Sequence, residues 1–341
     1  ALVTAGGTDN VLVLNTALPD PMQAPIAEIT VGPNPDAIAI SDDGSTAFVR
    51  DGFATQVTEI DLKPLLATVS TQWLADDEGL AAGPRMAPRF LAAARSVAFA
   101  DDLSTQRLRD GRRLFFGAKN PKISAASRFA CATCHLDGGD DKQVWNIGAG
   151  PRQTPILAGR LAGTAPFNWK GTEPELVGNM RQTVERMGGH GLTGKDELAL
   201  QEFLLKGLPA IANPRHNGAL TPAEVRGRTL FFDPEVGCAS CHTPPTFTDG
   251  KQHQIGTVDN DAGASSVATH CSPGAAFTLI EEDAVFDTPS LLGIRDSGPY
   301  LHDGSAATLK DVLDRTAGTM GNTSHLDGNQ RADLIAFLRT L

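Results

Sequence analysis

The stretches CATCH, from Cys131 to His135, and CASCH, from Cys238 to His242, hold four of the five cysteines in this chain. Each is a Cys-x-x-Cys-His run. The two-residue gap places both sulfurs on one side of a planar ring, where each forms a thioether with a vinyl group. The adjacent histidine then turns its imidazole onto the ring's iron. Both runs read as covalent attachment sites for c-type haem. Cys131, Cys134, Cys238 and Cys241 hold two haems, and His135 and His242 are the proximal iron ligands. A thioredoxin-type pair or a zinc site would not require histidine directly after both cysteine pairs.

The sixth iron ligand separates electron transfer from chemistry, because an iron with two protein ligands has no room for substrate. Met320, in AGTMGN, is the one methionine after the second motif, with His253, His270, His302 and His325 as rivals. Methionine opposite histidine raises the haem potential and suits electron transfer. For the first haem the candidates are Met180, Met187, His190 and His216.

The elements that position these residues divide the chain in three. Up to residue 63 short apolar strands alternate with Pro-Asn-Pro and Asp-Asp-Gly turns. ALVTAGGTDNVLVLNT from Ala1 matches AFVRDGFATQVTEIDL from Ala47, an internal repeat. It resembles the YVTN-type β-propeller repeat, at a length of one blade. About one and a half blades are present and a propeller needs at least four. The expectation is a propeller-like β fragment whose missing blades lie upstream or which packs differently, with an ordinary antiparallel sheet as the plainer reading. Residues 64–101 read as a connector, with a short helix over 87–100. From residue 102 a second repeat begins. RDGRRLFF at 109–116 matches VRGRTLFF at 225–232, each ahead of one haem motif. Thr221-Pro222-Ala223-Glu224 predicts an N-cap, a first-turn proline and a capping box. RADLIAFLRTL predicts a closing helix. The fold class expected is mainly α: two tandem c-type cytochrome domains, 102–220 and 221–341, behind the all-β fragment.

The formal net charge of −11 argues against nucleic acid or an anionic membrane as partner and suits a basic electron carrier. No apolar run reaches membrane-spanning length. Haem c is attached outside the bacterial cytoplasm, so the expected location is the periplasm or cell surface, with a leader ahead of this stretch. Cys271, in THCSPG, reads as a buried, inert thiol or as a link between chains.

The stretch FDTPSLLGIRDSGPYLHDGSAATLKDVL, together with the order helix–CxxCH, helix–CxxCH, then Thr-Met-Gly, resembles the bacterial dihaem cytochrome c peroxidases. The resemblance covers residues 102–341. The same superfamily includes dihaem enzymes that oxidise tryptophans of a partner protein during its maturation. It implies that electrons enter at the His242 and Met320 haem and that peroxide reacts at the His135 haem. Trp169, in FNWKG, falls where the family has a tryptophan relay between the haems. A calcium ion between the domains is implied at Gln153, Ser297 and Pro299, with oxygen ligands that suit it. Gln153 and Ser297 replace the usual Asn and Thr. His302 and Asp303 match an element near the second haem. A homodimer and a small cytochrome or cupredoxin donor are implied as partners.

Two departures stand out. Many of these peroxidases place a distal histidine about sixteen residues after the first CxxCH, whereas WNIGAGPRQ contains none. The first haem is therefore expected to be open without reductive activation. The usual catalytic Glu, about twenty residues after the relay tryptophan, is also missing. His190 stands near that spacing and Glu185 is the other acid–base candidate. The expected reaction is hydrogen peroxide plus two electrons and two protons to two waters. The alternatives are peroxide-dependent oxidation of a protein side chain and a dihaem electron carrier with both irons six-coordinate.

Overall fold

The computed structural model describes residues 1–16, 24–67, 89–92, 95–146, 150–210, 213, 218–258 and 283–341. His216, His270 and Cys271 lie outside the described residues. The N-terminal segment forms two four-stranded sheets. The first has the order β1–β2–β3–β7, from Leu2–Ala5, Asn10–Leu14, Pro25–Thr30 and Arg89–Ala92. The second has the order β4–β5–β6–β8, from Pro35–Ile40, Thr46–Asp51, Gln56–Asp61 and Arg95–Ala98. The internal repeat is real at the level of register. Leu2 pairs with Val13 and Val3 with Leu12 in β1–β2. The matching residues Phe48 with Glu59 and Val49 with Thr58 pair in β5–β6. Val11, Val13, Ile29, Val49 and Ile60 form one shared core. The described strands make these two sheets, and a propeller is not confirmed.

The short helix expected over 87–100 is instead two strands. Its Ala- and Arg-rich composition favours helix locally, but β7 pairs with β3 and β8 with β6. Ladder hydrogen bonds for otherwise unpaired sheet edges outweigh that weak preference. The chain as a whole is therefore not mainly α: helices and sheets share it.

The cytochrome part is built on two helix crossings. In the first module α1, Gln106–Phe116, packs on α4, Gly194–Glu202, with α2, Cys131–Cys134, and α3, Leu176–Arg186, beside them. In the second, α5, Pro222–Phe231, packs on α7, Gly328–Leu338, with α6, Leu309–Arg315, alongside. The repeated glycine explains both crossings. A Cβ on Gly111 would sit 2.0 Å from the Ala199 carbonyl oxygen, and one on Gly227 would sit 1.9 Å from that of Asp333. Only a residue without a side chain lets the helices approach so closely. The repeated Phe-Phe pair fills the space behind. Phe115 lies 5.5 Å from Phe203, and Phe231 lies 5.3 Å from Phe337, between ring centroids.

The capping signals act as expected. Thr221 Oγ1 accepts from the Glu224 amide at 3.3 Å, and Glu224 Oε2 accepts from the Thr221 amide at 2.6 Å. The closing helix buries Leu334, Phe337 and Leu338. The β segment docks on the first module through Phe53, which stacks edge-on against Phe116 at 5.0 Å and lies under the Arg112 guanidinium.

Candidate haem sites and the junction between them

Both proximal histidines are oriented in the same way. His135 Nδ1 lies 3.0 Å from the Pro155 carbonyl oxygen, and His242 Nδ1 lies 3.0 Å from that of Phe247. A carbonyl only accepts, so each Nδ1 carries the proton and each Nε2 keeps its lone pair for a metal. Such outer hydrogen bonds fix ring orientation and raise ligand basicity. Burial holds both imidazoles below the ordinary histidine value, although the carbonyl contacts oppose it. The neutral form is the one that ligates iron.

The cysteines are not poised as redox thiols. Burial pushes Cys131 up to about 12, and Cys134 and Cys238 up to about 11. A thioredoxin-type cysteine is shifted the other way, towards the thiolate. The donor set, geometry and protonation fit haem c at both motifs.

The surroundings of the two motifs differ. The Met320 loop lies against the second. The Asn322 amide donates to the Val236 carbonyl at 2.9 Å. Gly321 takes φ +80°, and a Cβ there would sit 2.7 Å from the Val236 oxygen and 3.8 Å from Cys238 Sγ. Thr319 Oγ1 donates to the Ile255 carbonyl at 2.6 Å. Of the rival ligands, His325 is exposed. His302 is buried and stacks on Phe286 at 3.9 Å. His253 Nε2 is 2.8 Å from Asp249 Oδ2, and its Nδ1 is 4.0 Å from Cys241 Sγ. Cys241, Asp249 and His253 thus form a polar cluster beside the second thioether position.

Around the first motif, Met180 is buried with Leu176 and Val184 in the module's core, and Met187 packs against it. The MGGH turn runs along the chain leading into the motif. The Ala125 amide donates to the Met187 carbonyl at 2.9 Å, and the His190 amide donates to that of Pro121 at 2.9 Å. Gly189 makes this approach, since a Cβ there would sit 2.4 Å from the Lys122 oxygen. The side chains of His190 and Glu185 are exposed.

Trp169 sits at the seam of the two modules. Its indole Nε1 donates to the Gln153 carbonyl at 2.8 Å, and its own carbonyl accepts from the Asp287 amide at 3.0 Å. Asn168, at φ +65°, shapes the turn by accepting from the Lys170 amide at 2.9 Å. Burial, with Asp249 nearby, pushes the Asp287 carboxyl up to about 7. Its Oδ1 is buried without a hydrogen bond. Gln153 ties the modules a second time. Its amide N–H donates to the His302 carbonyl at 2.7 Å, and its Nε2 donates to the Ser297 carbonyl at 3.4 Å.

Gln153 and Ser297, expected around calcium, therefore do meet. Pro299 lines an adjoining cavity of about 530 Å³, whose wall also includes Lys142 and Arg295. Two cationic side chains against the single carboxylate of Asp296 in that wall do not suit a divalent cation. Sequence reasoning missed Asp140, Lys142, Asp249 and Asp287. Asp287 stands in the FDTPSLLGIRD signature and the other three in no motif, and the proximity of all four is created by folding.

No family model matches the chain. Among curated proteins it is 28% identical over 265 residues to hydrazine synthase subunit gamma of Kuenenia stuttgartiensis, covering 64% of this chain and 73% of that one. It is 29% identical over 300 residues to the methylamine utilization protein MauG of Methylorubrum extorquens, covering 71% and 80%. It is 24% identical over 278 residues to cytochrome c551 peroxidase of Nitrosomonas europaea, covering 68% and 78%. Two solved structures share the fold. One is Kuenenia stuttgartiensis hydrazine synthase pressurized with xenon, with a TM-score of 0.53 and 24% identity over 71% of this chain and 89% of that one. The other is a MauG-like protein associated with microbial copper homeostasis, with a TM-score of 0.51 and 22% identity over 72% and 91%. These relatives support the dihaem cytochrome c peroxidase/MauG superfamily, and with it haem c at both motifs. Among the described residues no helix is long and apolar enough to cross a membrane.

Proposed function

We propose that this protein is a dihaem oxidoreductase that reduces hydrogen peroxide at the first motif with electrons received at the second. The observation that carries this reading is the asymmetry of two otherwise matching sites. Each has a cysteine pair and an oriented histidine. Among the described residues, the second has a methionine loop laid against its first cysteine, whereas the methionine turn of the first lies on the chain ahead of its motif. The first is followed by a stretch, 136–167, with no histidine to close the iron.

Bound haem supplies iron chemistry and electron storage at each motif. The chain's residues do the rest. His135 and His242 would hold the iron through Nε2, with Nδ1 fixed on a carbonyl. Met320 would be a further ligand at the second site, where it would raise the haem potential. Trp169, hydrogen-bonded to one module and accepting from the other, is the electron relay. Cleaving peroxide requires a proton to move from the inner to the outer oxygen. His190 or Glu185 performs that transfer. A small cytochrome or cupredoxin is the donor, in the periplasm or at the cell surface.

The test is stopped-flow absorbance of the fully oxidised protein mixed with peroxide. A fast Soret change without prior reduction is expected. If neither the oxidised nor the half-reduced protein reacts, the peroxidase reading fails and the protein is an electron carrier.

The similarity to MauG supports a second reading, peroxide-dependent oxidation of a partner protein's side chain. The two readings separate in one assay. Sustained turnover with a soluble reduced cytochrome supports the first. Peroxide reactivity without such turnover supports the second.

A further inference from the structure

We propose that Lys142 supplies the positive charge at the junction between the two haem modules, in place of the calcium ion that the resemblance implies. The geometry begins with a short ribbon. Strand β9, Val144–Asn146, pairs with β10, Pro151–Gln153, and Val144 faces Gln153. Lys142, just before β9, is thereby carried to the same end of the ribbon as Gln153. The Thr154 amide donating to the Gln143 carbonyl at 3.5 Å continues that pairing. At this point the first module meets the second. The Gln153 amides donate to the His302 and Ser297 carbonyls. Gly304, in the HDG run, comes so close to the ribbon that a Cβ there would sit 2.4 Å from Val144 Cγ2.

The Lys142 ammonium joins both sides of this seam. On the second module it donates to the main-chain carbonyl of Asp296, directly ahead of Ser297. On its own module it lies 2.8 Å from Asp140 Oδ1. The Asp140 side chain is 0% exposed, and neither of its oxygens receives a well-aligned hydrogen bond. A buried carboxylate needs a compensating cation, because desolvation of an unpaired charge is costly. Lys142 is its ion-pair partner at contact distance among the described residues, and the Arg160 guanidinium also acts on it electrostatically. A divalent ion placed here would face that ammonium and the Arg295 guanidinium across one cavity, with the Asp296 carboxylate, 3.9 Å from Arg295, as the single anionic side chain in its wall. It would also find Ser297's carbonyl already engaged by the Gln153 amide. The chain has taken the charge that an ion brings to such a seam and tethered it to its own backbone.

The test uses the intact dihaem protein, freed of metal by chelator and dialysed. Isothermal titration with calcium chloride and thermal unfolding are run for the native protein and for Lys142→Met. The native protein is expected to give no 1:1 calcium heat and a Tm unchanged by calcium or by EGTA. Lys142→Met is expected to unfold several degrees lower, and excess calcium is expected to return part of that loss by occupying the vacated place beside Asp140. One calcium bound per native chain, with a Tm that falls on chelation, overturns the proposal. A Lys142→Met protein with native Tm also overturns it. Neither readout involves turnover, so the outcome does not depend on the peroxidase reading.

Discussion

The two modules that carry the Cys-x-x-Cys-His motifs share a scaffold and differ in what lies against the motif. Both cross a glycine against a helix backbone, at Gly111 on Ala199 and at Gly227 on Asp333. Both back that crossing with a Phe pair on a third Phe. Both fix the proximal imidazole by Nδ1 on a carbonyl at 3.0 Å. The second then folds the 319–322 turn onto its motif, whereas the first lays the MGGH turn on the chain before its motif. The two modules share the parts beneath each motif and differ in the loop laid against or ahead of it.

That comparison is most sharply tested at Met320. Replacing it with leucine should lower the potential of one haem by tenths of a volt, within the ~0.8 V span that axial ligands set, and leave the other unmoved. Spectroelectrochemistry reads both. If neither potential moves, Met320 is not a ligand and the modules are less different than proposed.

The shared scaffold makes an equal-and-opposite prediction. Gly111→Ala and Gly227→Ala each force a Cβ onto a carbonyl oxygen, at 2.0 and 1.9 Å. Each should cost at least ~1–3 kcal/mol, as overpacking does, by denaturant unfolding. Similar losses confirm equivalent crossings, and a loss confined to one module breaks the symmetry.

A smaller effect belongs to the second module alone. The Asp287 carboxyl is raised, so the folded state binds a proton that the unfolded chain has already released. Its contribution is fully present below the usual aspartate value, near 3.8, and is lost as pH rises towards about 7. Asp287→Asn should flatten that decline, measured as Tm against pH. An unaltered slope would show that another group sets it.

The smallest difference lies at the leading helices. Thr221 sits in a reciprocal capping box, whereas Thr105 accepts from the Leu108 amide without one. Thr221→Ala and Thr105→Ala should each cost about 1 kcal/mol, with the larger loss at Thr221 by chemical denaturation.

Much of this was legible in the sequence because covalent and local rules wrote it there. The Cys-x-x-Cys-His spacing, the Gly and Phe-Phe repeat, the Thr-Pro-Ala-Glu cap and the apolar stripe of the closing helix each depend on residues close together in the chain. The 87–100 stretch failed for the complementary reason. Its local preference was overruled by the edges of two sheets whose other strands lie 30 residues or more upstream, at Pro25–Thr30 and Gln56–Asp61. The mainly α expectation held only in part, since helices share the described chain with several sheets. The propeller expectation read the repeat correctly, since the two hairpins share one register, but a repeat of two hairpins does not determine how sheets close on one another.

The sequence by itself determined where the two haem-attachment motifs lie, which histidine follows each, and which repeated helix leads into each. These follow from bond lengths, thioether spacing and helical period. The tertiary structure alone decided what meets at the seam: Trp169 held between Gln153 and Asp287, and Lys142 reaching from Asp140 to Asp296. Asp287 and Asp296 belong to the second module and stand more than a hundred residues along the chain from Trp169 and Lys142, and no periodicity connects them. Only the packing of one module against the other brings their charges and hydrogen bonds within reach, where burial makes each unpaired group costly enough to demand a partner.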